Sequence, residues 1–227
     1  MSDRREPFRD REEAGRALAA VLLPYAASHP LVLALPRGGV PVAFEVARAL
    51  DTDMDLLFVR KIGMPGHEEY GLGAVVDGAA PRIVLDRVRV GEFGVGTSTI
   101  REIVQRQLGE IARQRRLYLK GRPPLPVAGR VVIVVDDGIA TGGTMRAALQ
   151  AVRGAQPARL ILAVPVAPPD SIADLAAECD EVVCLMRPNP LYAVGAYYRD
   201  FAQVEDQEVI RLVAQAERPV PGDRRAG

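Results

Sequence analysis

The feature that most constrains the fold is a regular alternation of short apolar runs with segments of helical periodicity. Apolar runs predict strands at 31–35, 131–135, 159–164 and 181–185. Helices placed between strands favour right-handed βαβ units, which build a parallel sheet covered on both faces. We therefore expect an α/β fold with a mostly parallel, twisted sheet flanked by helices.

Further elements are predicted on either side of these strands. Helical patterns cover 10–27, 41–50, 97–119, 143–153, 170–178 and 205–216, and extended patterns cover 55–60, 71–76 and 82–85. The sequence has no internal repeat and no linker long enough to divide it. A single domain over residues 1–218 is expected, followed by a disordered tail at 219–227.

Charge and cysteine content exclude several classes of protein. The 29 Lys and Arg residues balance the 29 Asp and Glu residues, whereas a duplex-DNA binder usually has a basic excess, so no nucleic-acid partner is expected. No apolar run approaches the ~20 residues of a membrane-spanning helix, and the charged N-terminus lacks the apolar core of a signal peptide. We therefore expect a cytoplasmic protein without a membrane partner. Cys179 and Cys184 are too few for a zinc site, and their apolar surroundings predict buried free thiols.

Two adjacent carboxylates and a glycine-threonine turn follow the predicted strand at 131–135. Asp136 and Asp137, the acidic pair, stand at the carboxyl end of this strand, where open α/β sheets bind ligands. The sequence T-G-G-T at 141–144 then opens a helix, whose first amides lack internal partners and whose dipole favours an anion. The carboxylates suit sugar hydroxyls or a hydrated Mg²⁺. A phosphorylated sugar that carries Mg²⁺ needs both kinds of site.

Four other interpretations of this stretch explain less of it. A turn at Asp137 and Gly138 with Thr141 as a helix cap leaves the second acidic residue unexplained. A Walker B strand would need a G-x-x-x-x-G-K-[ST] loop, and a dinucleotide fold would need G-x-G-x-x-G after the first strand; the sequence has neither. A receiver domain would use acidic residues and a lysine but would not need the T-G-G-T turn.

The stretch VIVVDDGIATGGT at 132–144 resembles the phosphoribosyl-pyrophosphate (PRPP) motif of type I phosphoribosyltransferases. By this resemblance, the acidic pair binds the 2- and 3-hydroxyls of ribose, and residues 140–144 bind the 5-phosphate. The resemblance covers roughly residues 30–200, including VGAYYRDF near its end, and extends to stand-alone bacterial phosphoribosyltransferase-domain proteins.

Two further stretches agree with the resemblance. ALPRGGVP at 34–41 follows the first strand, where the family places its pyrophosphate loop, and a guanidinium can form a fork to phosphate. VRKIGMPG at 59–66 is similar to the Arg-Lys stretch of adenine phosphoribosyltransferases. The family often holds a non-proline cis peptide in the pyrophosphate loop, which the match places between Pro36 and Arg37. The implied PRPP-binding residues are Pro36, Arg37, Gly38, Gly39, Arg60, Lys61, Asp136, Asp137, Gly138, Ala140, Thr141, Gly142, Gly143 and Thr144.

The resemblance also implies how the domain is divided. It places the core at about 30–185, a helical insertion at about 86–130 and a hood over the acceptor base at about 186–204. A mobile catalytic loop is expected within 64–96, where the sequence is rich in glycine. The oligomeric state is left open, and a homodimer is compatible with the resemblance.

Candidate contacts to the base and to a metal follow from the same resemblance. Tyr197 and Tyr198 in the hood are candidates for stacking on a flat ring. Mg²⁺ is the implied cofactor, held by Asp136 and Asp137 directly or through water. Asp200 lies near a metal-associated acid of related enzymes, one residue out of register.

The implied reaction is Mg²⁺-dependent transfer of the 5-phosphoribosyl group from PRPP to a nitrogenous base, with release of pyrophosphate. Arg37 and Lys61 would stabilise the departing pyrophosphate, and the acidic pair would orient the ribose. Ala140 stands where enzymes of 6-oxopurines usually carry an acid, so hypoxanthine and guanine are disfavoured and the base stays unassigned. The alternative is a non-catalytic PRPP- or nucleotide-sensing regulator on the same fold. The sequences PRGG and RK favour the enzyme.

Overall fold

The structure is a computed structural model that describes residues 6–78 and 81–216, with only the backbone described at 68–70. The predicted tail at 219–227 lies outside the described residues. Within them, the strands are β1 (Leu31–Ala34), β2 (Asp53–Leu56), β3 (Val59–Met64), β4 (His67–Val76), β5 (Arg82–Leu85), β6 (Val131–Val135), β7 (Arg159–Val166) and β8 (Glu181–Met186). The helices are α1 (Arg11–Leu22), α2 (Gly39–Leu50), α3 (Arg87–Glu92), α4 (Thr97–Leu119), α5 (Gly143–Arg153), α6 (Pro169–Leu175) and α7 (Asp206–Ala216).

A five-stranded parallel sheet runs through the centre of the chain in the order β2-β1-β6-β7-β8. The central strands β1, β6 and β7 are almost entirely buried, because helices cover both faces. One apolar layer joins the sheet to α1, α2, α4 and α7, and the other joins it to α5 and α6. The predicted α/β fold with a parallel sheet flanked by helices is confirmed.

A second sheet was not predicted. It is antiparallel, has the order β3-β4-β5 and packs beside α4 and α5. The predicted strand at 55–60 is therefore wrong, since β2 ends at Leu56 in the parallel sheet and β3 begins at Val59 in the antiparallel one. Residues 56–59 are all apolar, so the pattern of the sequence gives no sign of the break between Leu57 and Phe58.

Some helix ends also differ from the prediction. The helix predicted at 10–27 ends at Leu22, and a 3₁₀ helix over Leu23–Ser28 follows, since Pro24 has no amide hydrogen to continue the α-helical ladder. The free cysteines Cys179 and Cys184 are partly rather than fully buried, and burial raises the pKa of both thiols. Within residues 6–78 and 81–216, no helix has the length and apolar character that crossing a membrane requires.

Candidate functional site

The acidic pair lies where the carboxyl ends of β1 and β6 meet. These neighbouring strands pair with Ala34 opposite Val135, so the segments that follow them leave the sheet side by side. Asp136 and Asp137 follow β6 directly, and the pyrophosphate loop, residues 36–39, follows β1. The β1–β6 pairing thereby brings together two stretches that are about a hundred residues apart in the sequence.

The pyrophosphate loop packs on the acidic pair itself. A Cβ atom on Gly38 would stand 2.2 Å from Asp137 Oδ2, and one on Gly39 would stand 2.9 Å from Asp136 Cα. Both positions therefore require glycine because no side chain fits between loop and carboxylates. The Pro36–Arg37 peptide bond is cis, as the resemblance implies.

Burial raises the pKa of both carboxyl groups of the acidic pair. Burial raises the pKa of Asp136 well above its usual value, and the negative charge of Asp137 adds to this effect. Burial also raises the pKa of Asp137, while the hydrogen bond and positive charge of Arg11 act in the opposite direction. The site thus concentrates two carboxyl groups in a place that disfavours their charge, which is common at functional sites.

Arg11 is a site residue that sequence reasoning missed. Its Nε lies 2.8 Å from Asp137 Oδ2, and its Nη1 donates a 2.7 Å hydrogen bond to the carbonyl of Ala202. The guanidinium carbon stands 3.9 Å from the ring centroid of Phe201. Arg11 is 126 positions from Asp137, within a helix that carries several other charged residues, so no local signal distinguishes it.

The T-G-G-T sequence forms the start of α5, as predicted. Gly142 caps the helix with φ of 75°, a left-handed conformation that favours glycine. A Cβ on Gly143 would meet no protein atom within 4 Å, so this residue faces open space. Thr141, Gly143 and Thr144 line a cavity of about 630 Å³. We call residues 141–144 the anion cradle.

The predicted basic residues fall into two separate cavities. Lys61 lines the cavity of the anion cradle, whereas Arg37 and Arg60 line another of about 390 Å³. In that second cavity, Arg37 Nη1 lies 3.4 Å from Asp206 Oδ1, and Arg60 Nη2 lies 3.2 Å from Glu110 Oε1. Adjacent residues of a strand point to opposite faces, which explains why Arg60 and Lys61 separate.

The hood lies directly over the residues that follow the acidic pair. A Cβ on Gly138 would stand 2.4 Å from Cγ1 of Val194, which begins the short 3₁₀ helix of the hood. Gly138 is therefore needed for close packing, in addition to any role in binding PRPP. Two residues further on, the carbonyl of Ala140 accepts a 2.8 Å hydrogen bond from the hydroxyl of Ser171 in α6.

The two predicted base-stacking tyrosines differ in their surroundings. Tyr198 is only 6 % exposed, its ring stacks on Phe201 at 4.9 Å, and its hydroxyl donates to the carbonyl of Asp137. Both its ring and its hydroxyl are engaged in packing, and its role as a base contact stays a prediction. Tyr197 is partly buried against the same cluster, and its role as a base contact stays a prediction.

Only a metal held mainly by water and substrate fits these carboxylates. Among the residues that the structure describes, no group of three or more His, Cys, Asp or Glu side chains could hold a metal ion, so Asp200 does not complete such a group with the acidic pair. Instead, the Asp200 carboxylate accepts a hydrogen bond from the amide of Ala202. Mg²⁺ commonly binds through one or two carboxylates, with water and substrate phosphates as its other ligands. The acidic pair suits that mode.

The chain is similar to two bacterial proteins of known sequence and to one solved structure. It is 42 % identical over 211 residues to the Mycobacterium tuberculosis proteins "Putative phosphoribosyl transferase Rv0571c" and "Putative phosphoribosyl transferase MT0597", a match that covers 93 % of this chain and 47 % of each relative. The chain thus spans about half the length of these relatives. The crystal structure of TT1426 from Thermus thermophilus superposes with a TM-score of 0.80 at 42 % identity, covering 92 % of this chain and 98 % of TT1426.

The family model of the phosphoribosyl transferase domain matches residues 9–199, which include α1, the acidic pair, the anion cradle and most of the hood. The match begins upstream of the stretch that carries the sequence resemblance, so Arg11 lies within the family region. The chain belongs to the phosphoribosyl transferase domain family.

Proposed function

We propose that this chain transfers the 5-phosphoribosyl group of PRPP to a nitrogenous base and releases pyrophosphate. The observation that carries the proposal is the junction of β6 and α5, which sets two partly buried carboxylates a few residues before an open helix N-terminus. Sugar hydroxyls and a phosphate are the ligands that these two groups suit. Membership of the phosphoribosyl transferase domain family supports the same substrate class.

Each part of PRPP has a candidate partner in the chain. The amides and hydroxyls of the anion cradle would hold the 5-phosphate, and the acidic pair would accept hydrogen bonds from the ribose hydroxyls. The amides of the pyrophosphate loop, which packs on the acidic pair, would contact the pyrophosphate. When bound, Mg²⁺ would supply positive charge that offsets the charge of the pyrophosphate.

Lys61 and Arg37, the two residues expected to stabilise the departing pyrophosphate, would act from different cavities. Lys61 lines the cavity of the anion cradle and is the nearer candidate for a phosphate contact. The Arg37 guanidinium also pairs with Asp206 at 3.4 Å, so its contact with the pyrophosphate would compete with this pair. The proposal therefore assigns the backbone of the pyrophosphate loop a larger share of binding than the Arg37 side chain.

The acceptor is proposed to be a planar nitrogenous base under the hood, with a purine favoured over a pyrimidine. Ala140 offers no carboxyl group to handle a proton on the ring, so 6-oxopurines are disfavoured. We place the reaction in nucleotide metabolism, in the cytoplasm, where PRPP-dependent transfer to bases would occur.

A direct test combines the purified chain with PRPP, Mg²⁺ and each of adenine, hypoxanthine, guanine, uracil and orotate in turn, and follows pyrophosphate together with the nucleotide formed. We expect base-dependent release of pyrophosphate in equal amount to the nucleotide. The control is the double variant Asp136→Asn with Asp137→Asn, which should be inactive. PRPP binding without release for any base would instead favour the PRPP-sensing regulator.

A further inference from the structure

The first turn of α1 lies against the acidic pair. Asp10 is the N-cap of this helix, since its Oδ1 accepts a 2.8 Å hydrogen bond from the amide of Glu13. The Glu13 carboxylate in turn accepts a hydrogen bond from the amide of Arg9. These two bonds fix where the helix begins and hold Arg11 in its first turn.

The guanidinium of Arg11 is held on three sides. It pairs with Asp137 at 2.8 Å, donates to the carbonyl of Ala202 at 2.7 Å and lies over the ring of Phe201. The side chain is 12 % exposed, and that of Asp137 is 15 % exposed. This ion pair has one preferred geometry, because the Ala202 carbonyl and the Phe201 ring also hold the guanidinium.

These contacts also connect Asp137 to the hood. Phe201 stacks on Tyr198, whose hydroxyl donates to the carbonyl of Asp137. The amide of Phe8, just before α1, donates a 2.9 Å hydrogen bond to the carbonyl of Tyr197. The start of α1, the hood and the acidic pair therefore form one continuous packed unit.

We propose that Arg11 is a positioning residue that fixes the Asp137 carboxylate for recognition of the 2-hydroxyl of ribose. Arg11 donates to Oδ2 of Asp137, and a Cβ on Gly38 would stand 2.2 Å from the same oxygen, so contacts restrict rotation of the carboxylate about its Cβ–Cγ bond. Its orientation is then set before the sugar arrives, which lowers the cost of binding. The inference rests on the proposed function in one respect, namely that the ligand contains ribose 5-phosphate.

If Arg11 had only a structural role, its removal would lower the affinity for all sugar phosphates alike. If it positions Asp137, its removal should lower the affinity only for a sugar that carries the 2-hydroxyl. The test therefore compares the affinities of ribose 5-phosphate and 2-deoxyribose 5-phosphate by calorimetry. The variants are Arg11→Gln, Arg11→Lys and Asp137→Asn. Arg16→Gln is the matched control, since Arg16 lies on the same helix, is 43 % exposed and pairs with Glu12 and Glu45.

We expect the wild type and Arg16→Gln to prefer ribose 5-phosphate. Arg11→Gln should lose about tenfold in affinity for ribose 5-phosphate, roughly the value of one charge-assisted hydrogen bond, with little change for the deoxy sugar. Arg11→Lys should recover part of the preference, since it keeps the charge without the planar fork. The double variant Arg11→Gln with Asp137→Asn should bind no more weakly than Asp137→Asn alone.

Unchanged discrimination in Arg11→Gln, or an equal loss for both sugars, would overturn the inference. So would additive losses in the double variant, because Arg11 would then not act through Asp137. If the wild type binds neither sugar phosphate, both this inference and the proposed function fail. If it binds and discriminates but transfers phosphoribose to no base, the proposed function alone fails.

Discussion

Gly38 and Asp137 are in such close contact that a Cβ atom on Gly38 would stand 2.2 Å from Oδ2 and 2.7 Å from Cγ of the carboxylate. Gly38→Ala must therefore displace the Asp137 carboxylate or the pyrophosphate loop. Overpacking of this kind costs about 1–3 kcal/mol of unfolding free energy. We expect that loss in urea unfolding, together with strongly reduced PRPP affinity in calorimetry.

The matched control for Gly38→Ala is Gly109→Ala. Gly109 is exposed within α4, and a Cβ there would meet nothing within 4 Å. This substitution should stabilise the chain by about 0.5–1 kcal/mol because alanine is the better helix former. A Gly38→Ala variant with wild-type stability and PRPP affinity would show that loop and carboxylate are not in contact in solution.

Gly143→Ala should separate binding from stability. A methyl group at this position meets no protein atom within 4 Å and projects into the space where the 5-phosphate is expected. We expect an unfolding free energy within about 1 kcal/mol of the wild type, while the affinity for ribose 5-phosphate falls at least about tenfold. Unchanged affinity would place the phosphate away from the start of α5.

Asp136→Asn should stabilise the ligand-free protein at neutral pH. Burial and the charge of Asp137 raise the pKa of Asp136 in the folded state above that in the unfolded chain, so the folded state binds this proton more tightly. Asp136 therefore stabilises the fold less as the pH rises. The loss begins near pH 4, about the pKa of Asp in the unfolded chain, and continues through the higher pKa of the folded state.

Melting curves between pH 4 and pH 8 test this prediction. Asparagine carries no charge, so the variant should melt at a higher temperature than the wild type at pH 7, by about 2–4 °C for each kcal/mol gained. The difference should shrink towards pH 4, where Asp136 is protonated in the wild type. A variant that melts lower at pH 7 would mean that the ionised carboxylate stabilises the fold, contrary to the burial argument.

Arg115→Ala should strongly destabilise the chain. Arg115 of α4 pairs with Asp77, which is 6 % exposed and follows β4, and also donates to the carbonyl of Arg122. Removing the guanidinium leaves a buried carboxylate without its cation, at a cost of about 3–5 kcal/mol. Its neighbour Arg116 is exposed, and Arg116→Ala should stay within about 0.5 kcal/mol of the wild type. Equal effects of the two substitutions in urea unfolding would show that the pair does not hold α4 in place.

Most of the parallel sheet was predictable because its central strands β1, β6 and β7 are buried on both faces and are largely apolar runs, as at Val131–Val135. Asp136 and Asp137 were identifiable for a related reason, since they directly follow such a run, at the end of a strand where open α/β sheets bind ligands. The division of 55–60 between two sheets was not predictable, because residues 56–59 form an uninterrupted apolar run and only tertiary pairing separates β2 from β3.

Contacts between distant segments of the chain also could not be predicted from local sequence patterns. Arg11 reaches Asp137 only because α1 packs on α2 and the hood folds back over the strand ends. Likewise, the burial of Tyr198 depends on Phe8 and Phe201, which approach it from two sides. An aromatic residue near a site has the same sequence signature whether it contacts a ligand or fills the core, so the role of Tyr198 could not be read from the sequence.

The position of the phosphate in a crystal of the protein grown with ribose 5-phosphate and Mg²⁺ tests the central claim most directly. The account predicts the phosphate within hydrogen-bonding distance of the amides of residues 141–144, with the ribose hydroxyls on Asp136 and Asp137. A phosphate held instead in the cavity of Arg37 and Arg60, with the acidic pair not touching the sugar, would contradict it.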